Sequence, residues 1–153
     1  MNMFPIYITL HIIFAGIWLS FFIIELVLRS RINKEISPKE NANNYLVFTN
    51  VFGNTGAIGI LLTGILLVVN SGYGFFDMSS NHWLATKQII LVVIFIVIFA
   101  MLIPTMGKVR EDLKNDSETL PNNNLKKLFK ANLIINILVL LNFLFAITRH
   151  FYS

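Results

Sequence analysis

Long apolar runs alternate with shorter polar ones along this chain. Phe4 to Leu28, Leu46 to Val69, Trp83 to Met106 and Leu128 to Ile147 each hold at most one charged residue. A run of about 20 apolar residues crosses the roughly 30 Å hydrocarbon layer of a bilayer as a helix. The pattern therefore predicts an all-α integral membrane protein, a four-transmembrane-helix bundle forming one domain over residues 1–153. The polar stretches RSRINKEISPKENANNY, NSGYGFFDMSSNH and GKVREDLKNDSETLPNNN are predicted as connections. Pro5 is tolerated in the first helical turn, and Pro104 is a candidate kink.

Composition agrees. Of 153 residues, 56% are hydrophobic and only 13% charged, with a mean hydropathy of +0.70. Soluble domains carry about 25% charged residues, so a globular or disordered soluble chain is excluded. The net charge of +4 suggests nucleic acid until the charges are placed. Arg29, Arg31, Lys34 and Lys39 lie in the first connection, and Lys108, Arg110, Lys114, Lys126, Lys127 and Lys130 in or beside the third. Only Lys87 and Arg149 fall on the other side. The positive-inside rule then puts both termini on the outer side of a plasma (inner) membrane, with no nucleic-acid partner. No Lys or Arg precedes Phe4, and the first run far exceeds a 7–15-residue signal core, so no cleaved leader is expected. Zero cysteines exclude disulfides, thiolate metal sites and thiol nucleophiles.

The ionisable residues that break the pattern gather toward the outer side. His11 lies roughly 10 Å and Lys87 roughly 6 Å below the outer edge, with His82 and His150 near the boundary. Helical spacing puts His11, Ala15, Trp18, Phe22 and Glu25 on one face, which must turn away from lipid. His11 is either a cofactor or metal ligand, or a neutral ring hydrogen-bonded to Asn142 or Thr63. Lys87 either snorkels to the interface or serves as a ligand near the site. Glu25 is expected to pair with Arg29 one turn later. Gly53, Gly56, Gly59 and Gly64 would admit a close helix or a flat cofactor. Asn50, Asn54, Asn132, Asn136 and Asn142 are expected to bond between helices. Met78 and His82 could hold copper, while Asp77 and its neighbours supply a turn and a helix cap. No P-loop, G-x-G-x-x-G or HExxH motif is present.

The first span, LHIIFAGIWLSFF with His11 and Trp18, resembles the first helix of the CopD-like copper-resistance proteins, the HemJ-type protoporphyrinogen oxidases and related four-helix families. HWLATKQIIL, with Trp83 and Lys87, is similar to their tryptophan-then-lysine opening, and GILLTGILL looks like their second span. The resemblance implies a b-type haem with His11 as axial ligand and Lys87 as second ligand or neighbour. It also implies Trp18 and Trp83 beside the macrocycle, and His82, Arg149 and His150 near its propionates. Helix one ends IIELVLRSR, without the ending of the oxidases, so the resemblance extends to haem binding rather than to protoporphyrinogen oxidation.

The leading expectation is a membrane haem-b protein, a haem-dependent oxidoreductase or electron carrier near the outer face. Its partner would be a quinone or a small oxidant or gas such as superoxide, O₂ or NO. A copper-handling or transport protein using His11, Met78 and His82 is the alternative, and a cofactor-free accessory subunit a third. The glycine-bearing bundle could pair as a homodimer.

Overall fold

The computed structural model describes residues 3–115 and 122–148. Its elements are α1 (Phe4–Asn33), α2 (Pro38–Ser71), α3 (Met78–Val97), a π-helical turn (Ile98–Leu102), α4 (Ile103–Lys114) and α5 (Asn122–Thr148). The π turn joins α3 to α4, so four helical units are long and apolar enough to cross a membrane. The protein is an all-α, multi-pass membrane four-helix bundle.

The helices outrun the apolar runs that announce them. Most of the polar 29–45 stretch is helical, and only residues 34–37 form the turn between α1 and α2. Asn41 closes that turn by donating Nδ2 to Ile36 O at 2.6 Å and to Ser37 O at 3.1 Å. Glu35 and Ser37 take left-handed backbone there, and Pro38 opens the next helix. Past the apolar boundary, polar side chains stay hydrated while the backbone continues its own ladder, so charge alone does not end a helix. At the other end of α2, Gly72 adopts φ 76°, the left-handed stop that glycine allows.

Asp77 caps α3 by accepting from Ser79 N and Ser80 N. Asn81 then leaves helical geometry (φ −156°, ψ 79°), and its Oδ1 accepts from Leu84 N at 3.0 Å, capping a second start. Near the far end Ile103 N bonds to Ile98 O, the widened π spacing, one residue before Pro104. A proline ring displaces the carbonyl of the preceding turn, and a π bulge accommodates it.

α1 and α2 form a close hairpin. A Cβ built on Gly59 would lie 2.1 Å from the Phe14 ring, and one on Gly56 would lie 3.0 Å from Trp18. The core continues through Leu28, Tyr45, Leu46, Leu128, Phe129 and Ile135. α3 packs on α5, and α4 reaches both α2 and α5. No Cα of α3 comes within 8 Å of α1 or α2. The end of the bundle bearing the 72–77 turn therefore has a seam between α3 and the α1–α2 hairpin.

Candidate functional site

That seam leads to a cavity of about 90 Å³, with His11, Trp18, Lys87, Phe95, Asn142 and Phe143 among its walls. One water needs about 10–15 Å³ of such space, so the cavity accommodates a handful of waters or a small molecule. His11 and Lys87, singled out separately in the sequence, share it. The open α1–α3 diagonal brings them to the same space.

Thr63 holds the His11 ring, with Nδ1 and Oγ1 2.8 Å apart. The threonine hydroxyl lies 2.6 Å from Gly59 O and 3.3 Å from Ile60 O; with its one proton directed to these carbonyls, its lone pair accepts from His11 Nδ1–H. In that tautomer Nε2 carries the unprotonated lone pair, the one that a histidine anchored through its other ring nitrogen presents to a metal. Of the two partners expected for a neutral His11, Thr63 is the one found. A Cβ on Gly64 would lie 3.6 Å from His11 Cε1, an ordinary van der Waals contact.

Asn142 donates Nδ2 to Lys87 O at 3.4 Å, a long contact across the α3–α5 pair. Its Oδ1 is buried and accepts nothing among the described residues. An unpaired buried carbonyl at a cavity wall marks a place where a water or a hydroxylic ligand would be stabilised. The Lys87 ammonium lies 4.8 Å from the Trp83 ring centroid, within cation–π range. Trp83 in turn donates Nε1 to Phe145 O at 2.7 Å, tying the start of α3 to α5.

The remaining expected residues fall elsewhere. Met78 and His82 are exposed at the start of α3 and do not line the cavity with His11. Trp83 stands behind Lys87, outside the lining. Arg149 and His150 lie outside the described residues. No group of three or more His, Cys, Asp or Glu side chains is gathered as a metal site among the described residues.

A second polar assembly lies deeper, and the sequence reading missed its centre. Glu25 is 1% exposed, and Arg29 remains within electrostatic reach of it without contacting the carboxyl. Its Oε1 accepts from Tyr45 OH at 2.8 Å, and its Oε2 accepts from Asn136 Nδ2. Arg29 instead extends over the Phe129 ring, 5.3 Å from its centroid. Asn132 Nδ2 reaches Tyr45 OH at 2.6 Å and Thr49 Oγ1 at 3.3 Å. Trp18 Nε1 donates to Asn136 Oδ1 at 3.2 Å, joining this assembly to the cavity wall. Tyr45 had been placed at the end of a connection. Its signal was the spacing Asn41, Tyr45, Thr49, one polar stripe running from the polar stretch into the apolar one.

Of the expected asparagine contacts, Asn132, Asn136 and Asn142 do bond between helices. Asn50 and Asn54 face outward and, among the described residues, bond only to each other. Of the glycines, Gly56 and Gly59 receive α1 side chains, while Gly53 faces open space.

Fold and site together define a small multi-pass membrane bundle with a histidine- and lysine-lined cavity near one end. Comparison with protein families, curated proteins and solved structures gives no match.

Proposed function

We propose that the protein is an integral-membrane haem-b-binding protein. It would carry electrons or perform oxidoreduction near the outer membrane face, with a quinone or a small oxidant as partner. The observation that carries this reading is His11, anchored through Nδ1 on Thr63, on a cavity shared with Lys87. The resemblance of the His11–Trp18 and Trp83–Lys87 segments to haem-binding four-helix families adds to it.

The donor set fits a haem: His11 and Lys87 would hold it, with Trp18, Phe95 and Phe143 as apolar and aromatic walls. The cavity, about 90 Å³ and partly open to the outside, is smaller than the macrocycle. α3 is held by α5, and its backbone stays more than 8 Å from those of α1 and α2, so a larger group would enter by parting the side chains along that seam. Bound there, the group supplies one-electron chemistry. Thr63 fixes the ring that would ligate it, Asn142 Oδ1 offers an acceptor to a hydroxylic partner, and the surrounding apolar walls exclude bulk water.

Orientation belongs to the same proposal. Lys and Arg concentrate at the end carrying the 34–37 turn, so that end faces the cytoplasm and the cavity lies in the outer half.

The test is an absorption spectrum of the full chain, purified in detergent from haem-replete cells, oxidised and dithionite-reduced, with a pyridine haemochrome assay. A Soret band, sharpened reduced α and β bands and near one haem per chain are expected. A colourless protein overturns the reading.

A further inference from the structure

Asn54 and Thr55 sit at the midpoint of α2, which runs Pro38–Ser71, and both are exposed. Asn54 donates Nδ2 to Asn50 Oδ1 at 2.8 Å, and among the described residues neither side chain bonds to another helix. A carboxamide carries two N–H donors and an acceptor oxygen. One mutual bond therefore leaves Asn50 with both donors, and Asn54 with a donor and its oxygen, directed at a surface where lipid offers no partner. Such groups are costly in hydrocarbon, and polar side chains within membrane helices act as contacts between helices. Val47 and Ile58 share the exposed face, three residues before Asn50 and four after Asn54, and Ile65 follows two turns beyond Ile58. Beside them a Cβ on Gly53 would meet nothing within 4 Å, so a second backbone can come close.

We propose that this face of α2 is the interface of a homodimer, in which Asn50 and Asn54 of two copies bond to each other across a two-fold axis normal to the membrane. Self-complementarity selects the occupant. Copies inserted with one topology present Asn54 at the same depth, and each carboxamide offers both the donor and the acceptor its twin requires. Nothing in this pairing depends on a cofactor, so it stands or falls apart from the haem reading.

The chain has no cysteine, so single introduced thiols report proximity. The full chain with Ile58→Cys, reconstituted in phosphatidylcholine–phosphatidylglycerol vesicles and mildly oxidised, is expected to give a disulfide-linked dimer. Ile23→Cys, on the exposed face of α1, is expected to stay monomeric. Adding Asn50→Leu and Asn54→Leu should abolish the cross-link and weaken dimerisation, read by energy transfer between labelled copies, about tenfold or more. Asn54→Gln, which keeps the carboxamide, should retain the dimer, and unchanged circular dichroism shows that α2 still forms. Monomers in vesicles, equal cross-linking at Ile23→Cys, or a dimer that survives both leucines overturns the proposal.

Discussion

The indole N–H of Trp18 donates to Asn136 Oδ1 at 3.2 Å, and the same tryptophan lines the cavity that holds His11. Because an indole can only donate, this bond fixes which way the Asn136 amide points. Its Nδ2 is thereby turned to Glu25. Trp18→Phe keeps the ring and removes the donor. We expect a loss of about 0.6–2 kcal/mol in detergent, measured by reversible unfolding, and a smaller loss when Asn136 is already leucine. Equal losses in the two backgrounds would show that the bond does not couple the sites.

Glu25 and Arg29 give the sharpest contrast between the sequence expectation and the fold. If they stabilised the bundle as an ion pair, removing either would have a similar effect. With the carboxyl bonded to Tyr45 and Asn136, Glu25→Leu strands two buried donors, and we expect a loss of about 2–4 kcal/mol. Arg29→Ala should cost less than about 1 kcal/mol, chiefly from the Phe129 contact. Combining Glu25→Leu with Tyr45→Phe should recover part of the loss, because the phenolic donor is gone. Chemical denaturation of the three variants and of Tyr45→Phe alone reads this directly.

Hydropathy was enough to place all four membrane helices, because each apolar run is long and the lipid constraint admits little else. It did not place their ends, since polar residues on a helix beyond the membrane are as well solvated as in a loop. His11 and Lys87 were legible as misfits in apolar surroundings. Tyr45 was not, because tyrosine beside a polar stretch is an ordinary interfacial residue until α5 brings Asn132 against it. The outward face of Asn50 and Asn54 was likewise hidden, since five asparagines in apolar runs look alike until a fold divides them.

Gly59 is fixed by the Phe14 ring. A methyl group there would lie 2.1 Å from a ring carbon, and neither helix backbone can retreat without opening the hairpin. Gly59→Ala should destabilise the protein by about 1–3 kcal/mol in the same unfolding assay. Phe14→Ala should remove most of that penalty in the double variant. Gly53→Ala, with open space at its Cβ, should leave monomer stability unchanged or slightly higher.

The Asp77 cap sets a pH window. Hydrogen bonds from the Ser79 and Ser80 side chains, with those of the Ser79 and Ser80 backbone, hold its carboxyl well below the ordinary value of 3.8. A carboxyl whose folded value is depressed contributes stability in full above its unfolded value and loses it only as pH falls through the folded one. Amide exchange at Ser79 and Ser80 should thus stay protected from neutral pH down to about pH 4 and weaken progressively below it. Asp77→Ala should expose both amides at every pH, whereas protection lost near pH 6 would assign the cap to another group.

Thr63 supplies the most discriminating test of the histidine assignment. His11→Ala removes the proposed ligand and should abolish haem retention, but a ligand and a mere packing residue can both give that result. Thr63→Val is nearly isosteric and leaves His11 in place while removing the acceptor for Nδ1–H. The ring then loses its fixed tautomer and orientation, so haem affinity should fall about 10–100-fold while the reduced α and β bands remain. Thr63→Ser restores a hydroxyl and should restore most of the affinity. Lys87→Met should shift the spectrum and keep the haem, as replacement of one axial group does. Haem titrations followed at the Soret band measure all four. Wild-type affinity in Thr63→Val would detach the threonine from ligation, and an unaltered spectrum in both oxidation states for Lys87→Met would remove the lysine from the iron.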